Sequence, residues 1–127
     1  MTPANLNSLQ SKFGPFDAEQ WVLNPDNILK ENEAGDTALF QKNRNGEYLL
    51  HCHFTTRGKE GLQVAREMIE EVFRDHEGVQ VLTGLAPIAN KPVRWFSRKL
   101  GFKSYGTVDL RDLGVHEILI LTRKEYE

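Results

Sequence analysis

Asn90-Lys91-Pro92-Val93-Arg94-Trp95-Phe96-Ser97-Arg98-Lys99-Leu100-Gly101-Phe102 reads as one short amphipathic helix that runs straight into a strand. The helix starts near Asn90 and takes Pro92 into its first turn, where a missing N–H costs nothing. Val93, Phe96 and Leu100 recur at three- and four-residue spacing on the side to be buried. Gly101 then ends the helix in the left-handed C-cap position that glycine adopts without strain.

Upstream, Val79–Leu85 is a short apolar run of strand type, ending in Val81-Leu82-Thr83-Gly84-Leu85. Before it, Leu62, Ala65, Met68, Ile69, Val72 and Phe73 fall on one face of a long helix that His76-Glu77-Gly78 brings to a stop. A helix of that length serves as a crossover, so the strands at Leu50–Phe54 and Val79–Leu85 are expected to be parallel neighbours. Further upstream, Asn45-Gly46 separates Thr37–Lys42 from Glu47–Phe54. This predicts an antiparallel hairpin with a type I′ turn. Downstream, Lys103–Leu110 and His116–Thr122 read as two strands joined by a turn containing Gly114. The first 35 residues, punctuated by Gly14-Pro15, Asn24-Pro25 and Ala34-Gly35, suggest short helices over Asp17–Val22 and Pro25–Glu33. Strand, strand, helix, strand, helix, strand, strand predicts an α/β fold: a mixed sheet with helices on both faces.

The 127 residues suit a single domain, 1–127, with an N-terminal segment at 1–35 and a core at 36–127. Sixteen basic against 18 acidic residues provide no field for a polyanion, which argues against nucleic-acid partners. The apolar runs are far shorter than the ~20 residues of a membrane helix, and the N-terminus lacks a signal-peptide core, so a cytoplasmic protein is expected. One cysteine, Cys52, fits a reducing compartment.

This order of elements, with the Leu100-Gly101-Phe102 exit, resembles the GNAT superfamily of N-acetyltransferases over about Thr37 to Thr122. The resemblance implies acetyl-CoA in a V-shaped opening between splayed parallel strands. It also implies an amine acceptor that attacks the thioester directly, with a backbone amide near His53–Thr55 polarising the carbonyl. The loop into the crossover helix would hold the pyrophosphate, giving Phe54, Thr55, Arg57, Gly58, Lys59, Glu60 and Gly61 as candidate cofactor contacts. Gly58 and Gly61 would allow close backbone approach, and Arg57 and Lys59 would add charge. Glu60 falls where the family carries a small residue. Asn90 would help hold the pantetheine arm, and Arg98, with Arg94 and Lys99, would face the phosphates. Ser97 stands where the family commonly places a tyrosine that protonates the departing thiolate, and a serine hydroxyl is a far weaker acid.

His51 and His53 point to one side of their strand, the side expected to line the transfer cleft, and are candidate bases with Glu47 as a third. Two histidines without a third and fourth ligand make no metal site. Cys52 faces the other way with Tyr48, Leu50 and Phe54, as a core residue would. Thr83–Asn90 followed by Arg94-Trp95-Phe96 also resembles small GNAT-like proteins of tailed bacteriophages. That resemblance implies an alternative, non-enzymatic assembly or interaction role with a phage assembly partner, in the host cytoplasm or the virion. By family analogy a homodimer is also expected.

Overall fold

The computed structural model describes Leu9, Phe13 and residues 17–126. Gly14-Pro15 therefore lies outside the described residues. Helix α1 (Ala18–Leu23) begins as expected, with the Asp17 side chain accepting from the Gln20 amide at 3.1 Å. The helix expected over Pro25–Glu33 is absent: Ile28–Glu31 is instead a strand, β1, antiparallel to β2 (Thr37–Arg44). The local pattern has period two, because Ile28 joins one hydrophobic cluster and its neighbour Leu29 packs against another, which a single helical face cannot do.

Strand β3 (Glu47–His53) completes the predicted hairpin with β2. Its turn differs from expectation. Only Gly46 takes a positive φ (82°), so Asn45 does not adopt the type I′ geometry, and a register shift at Lys42/Arg44 absorbs the difference. Helix α2 (Gly58–Asp75) buries every apolar residue the periodicity selected, from Leu62 to Phe73. It leads to β4 (Val81–Pro87), which lies parallel to β3. Helix α3 (Lys91–Lys99) follows, then the antiparallel pair β5 (Lys103–Asp109) and β6 (Val115–Thr122), with a short 3-10 turn at Arg111–Leu113 ahead of Gly114.

The six strands form one mixed sheet in the order β1-β2-β3-β4-β6-β5. Alternation along each strand sorts side chains to two faces. Ala38, Phe40, Tyr48, Leu82, Leu119 and Leu121 meet α2 and the Leu100–Phe102 corner in the main core. Leu39 and Leu29 meet Leu9, Phe13, Ala18, Trp21 and Val22 on the opposite side. Gly101 has φ 102° and stops α3 as expected. The expected burial of α3 is only partly met: Phe96 and Leu100 pack into the core, whereas Val93 is 42% exposed where α3 overhangs a cleft. No helix among the described residues is long and apolar enough to cross a membrane.

Candidate functional site

Strands β3 and β4 pair only at Glu47–Val81, Tyr48–Leu82 and Leu49–Thr83, although β3 continues to His53 and β4 to Pro87. Beyond Leu49 the two neighbours part. The V-shaped gap is a cavity of about 660 Å³ walled by β3 from Leu50 onward, by Gly84–Pro87 of β4, and by α3 residues from Pro92 to Ser97. Both sheet faces contribute to it, since Leu50 and Leu119 belong to the α2 side while His51 and His53 belong to the side of Phe13. The opening thus runs through the sheet.

The mouth of this cleft is the start of α2. Its first-turn amides have no intrahelical acceptors, and Arg57 at the N-cap forms no capping bond through its side chain. Gly58 has φ +64°, and a Cβ there would meet nothing within 4 Å, so the backbone is bare on that side. Gly61 is needed for another reason: a Cβ would sit 2.5 Å from the Thr56 carbonyl oxygen, so the helix start lies directly on the preceding loop.

That loop is held by a residue sequence reading did not single out. Asp36, fully buried, accepts from the Thr55 amide (2.7 Å), the Thr56 amide (2.9 Å), the Thr56 hydroxyl (2.5 Å), the Thr55 hydroxyl (3.1 Å) and Asn32 Nδ2 (3.0 Å). Burial by itself would raise its pKa, but the hydrogen bonds from Thr56, Asn32 and Thr55 outweigh it and hold the carboxyl far below the usual carboxylate range. The Thr55 amide is therefore committed to Asp36, which leaves only the earlier part of the His53–Thr55 stretch free to face a carbonyl.

A second buried carboxylate clamps the other wall. Glu117 of β6 is 4% exposed and takes Arg94 Nε at 3.1 Å and Arg98 Nη2 at 2.7 Å, while Arg94 Nη1 also donates to the Ile88 carbonyl. The hydrogen bond from Arg94 lowers the Glu117 pKa against the opposing effect of burial. Arg94 and Arg98 thus anchor α3 to the sheet. Lys99, the third member of that basic face, lies 5.9 Å from the centre of the Trp95 ring.

Of the candidate site residues, His51, His53, Phe54, Thr55, Arg57, Gly58 and Ser97 come together around the cavity. Lys59, Glu60, Gly61, Asn90 and Arg98 do not line it. Asn90 caps α3, its side chain accepting from the Val93 amide at 3.2 Å. Glu47 is at the far end of β3, bonded to Asn43 and ion-paired with Arg44, out of reach of the cleft. His51 is exposed in the cleft, whose walls desolvate it in part, which lowers its pKa and favours the neutral imidazole. His53 meets the Phe13 ring edge-on at 6.2 Å. Cys52, expected to face the core, is instead exposed and lines the cleft. Among the described residues no three His, Cys, Asp or Glu side chains gather as a metal site would require.

No protein-family model matches the chain, and no curated protein matches it by sequence. Solved structures do match in shape. The aminoglycoside acetyltransferase AAC(6')-Ib, in complex with ribostamycin and coenzyme A, superposes with a TM-score of 0.72 at 16% identity over 99% of this chain and 92% of that one. A ribosomal-protein-alanine N-acetyltransferase from Brucella melitensis gives 0.73 at 19% over 96% of each chain. RimL, a ribosomal alpha-N-protein acetyltransferase in its apo form, gives 0.74 at 11% over 95% of this chain and 89% of that one. The chain has the GNAT fold that these structures share, as its order of elements implied.

Proposed function

We propose that the protein transfers an acyl group from an acyl-coenzyme A to an amine within the cleft between β3 and β4. The observation that carries this reading is a through-sheet opening whose one end meets the bare first turn of α2 and whose other side presents His51 and His53. Helix-start amides, Gly58 and Arg57 suit a pyrophosphate, because unpaired donors and a helix dipole favour an anion. The apolar walls suit a pantetheine arm. AAC(6')-Ib, which has the same fold, binds coenzyme A and acetyl-CoA.

Coenzyme A supplies an acyl group activated as a thioester. The acceptor nitrogen forms the new C–N bond as the C–S bond breaks, and the chain's own residues manage the protons. His51, neutral because its surroundings are desolvating, takes the proton the attacking amine loses, directly or through water. Ser97 is the protein hydroxyl on the α3 wall. It is a weak proton donor for the departing thiolate, so water shares that role. Holding the reactants in place then supplies most of the acceleration.

Calorimetric titration with acetyl-CoA tests the reading. Binding should be observed and should weaken about tenfold or more in Arg57→Glu, which turns an attractive charge into a repulsive one. No heat at millimolar ligand would end the proposal. If the protein binds and turns over, the rate should keep its full value to a lower pH than an ordinary histidine allows, and His51→Ala should abolish that limb.

The alternative, a scaffold retained for assembly or interaction without catalysis, draws support from one observation: Asn90 and Arg98 are engaged within the fold, at the helix cap and with Glu117. The same titration separates the two.

A further inference from the structure

We propose that the cleft is built for an acyl group longer than acetyl, taken up in an apolar pocket where β3 and β4 part; this deepens, and rests on, the acyl-transfer reading above. Gly84 carries the inference. It follows Thr83, the last residue of β4 paired with β3, and sits opposite Leu119 of β6. It is thus at the apex of the V, on a central strand, facing the α2 side with Leu82 and Ala86.

A glycine inside a strand weakens it, so its presence has to answer to something else. Gly46, Gly58, Gly101, Gly106 and Gly114 have positive φ, and Gly61 has a backbone oxygen where a Cβ would go. Gly84 has neither reason. Its φ is ordinary for an L-residue, and an added Cβ would meet nothing within 4 Å. Protein interiors are close-packed, and a core-facing Cβ on a central strand normally touches neighbours on all sides. The missing side chain leaves empty volume that belongs to the 660 Å³ cavity. Around it the cavity wall is hydrocarbon, from Leu50, Phe96, Leu100, Phe102 and Leu119, and the Phe54 and Phe96 rings meet edge-to-face at 5.9 Å.

A space of that chemistry selects methylene groups. A dicarboxylic acyl group would bring a carboxylate against this hydrocarbon wall, and a carboxylate buried unpaired there is costly. The expected donor is a straight-chain acyl-CoA such as butanoyl- or hexanoyl-CoA. Each methylene that leaves water is expected to tighten binding about fourfold.

The test is calorimetry of the full chain with coenzyme A, acetyl-CoA, butanoyl-CoA and hexanoyl-CoA, for the wild type and for Gly84→Val. The wild type should bind butanoyl-CoA about tenfold or more tightly than acetyl-CoA, and the ratio should fall to about one in Gly84→Val. If thermal melting shows that the valine variant does not fold, Gly84→Ala is used, which should reduce the ratio part-way. Equal or weaker binding of the longer chains by the wild type overturns the pocket while leaving acyl transfer standing. A ratio that survives a folded Gly84→Val also overturns it, because the extra methylenes then lie elsewhere. Absence of coenzyme A binding removes the acyl-transfer reading, and the pocket falls with it.

Discussion

Replacing Asp36 by asparagine keeps the size of the side chain and removes its charge, and the structure allows the cost to be worked through. In the native chain five donors from Asn32, Thr55 and Thr56 converge on the two carboxylate oxygens. An asparagine has one acceptor oxygen and an NH2 that would confront at least one of those donors. Hydrogen bonds to a charged acceptor contribute about 1.5–3 kcal/mol each, and a buried donor left without a partner costs about 1–3 kcal/mol. With one oxygen still accepting and the hydroxyls free to turn, the net loss should be about 3 kcal/mol. For a domain of this size that lowers the melting temperature by about 10 °C. Chemical denaturation at pH 7 measures it directly.

The pH dependence supplies a second, independent signature. The Asp36 carboxyl is more acidic folded than unfolded, so its contribution is fully present above the unfolded pKa of about 3.9 and disappears as pH falls through the lower folded value. Wild type should therefore lose its advantage over Asp36→Asn below about pH 4, and the two stability curves should converge there. A loss below about 1 kcal/mol at pH 7, or a gap that does not narrow in acid, would refute the role assigned to this carboxylate.

Two further outcomes follow from other buried groups. Glu117→Gln should cost about 2 kcal/mol by denaturation: breaking a buried ion pair costs about 3–5 kcal/mol, reduced here because the Arg98 side chain is 53% exposed and can turn to water. Under 0.5 kcal/mol would mean that the pair does not anchor α3. Thr83 Oγ1 is buried and has no hydrogen-bond partner among the described residues, so Thr83→Val, which keeps the branched shape, should be neutral or stabilising by about 1 kcal/mol. A loss of that size instead would show the hydroxyl to be bonded.

What could be read from the sequence was what repeats over a short stretch of chain. The Leu62–Phe73 stripe keeps consistent spacing over about three helical turns of α2, and Asn45-Gly46 lies between two clear strands, so both were legible. The β1 strand was not, because four residues are too short a run to establish their period of two, and Asn24-Pro25 just upstream reads as a helix start. Most of the cleft-lining set from His51 to Gly58 was legible, being one continuous strand-loop-helix passage, although Cys52 was read as core and Thr56 was not picked out. Asp36 and Glu117 were not, since Asp36 meets Thr55 and Thr56 at separations of 19 and 20 residues and Glu117 meets Arg98 and Arg94 at 19 and 23. Neither spacing leaves a periodic trace. Gly84 stands in an apolar strand run as a glycine that signals a close approach or an unfilled space, a signal the sequence reading did not use.

The two carboxylates that sequence reading missed share a design. Asp36 ties the passage from β3 into α2, which is one wall of the cleft, and Glu117 ties α3, which is the other. Neither lines the cavity, so neither meets a ligand directly. If acyl transfer proceeds as proposed, with Ser97 a poor acid, it relies on positioning and needs both walls rigid, because misplacement by an ångström far from the chemistry lowers rates steeply. Asp36→Asn and Glu117→Gln should then change kcat and KM together while leaving the acidic limb of the rate where it was. His51→Ala should remove that limb. If all three substitutions moved it alike, the proton would not be passing through His51, and the two buried carboxylates would be acting on the chemistry rather than on the geometry of the walls.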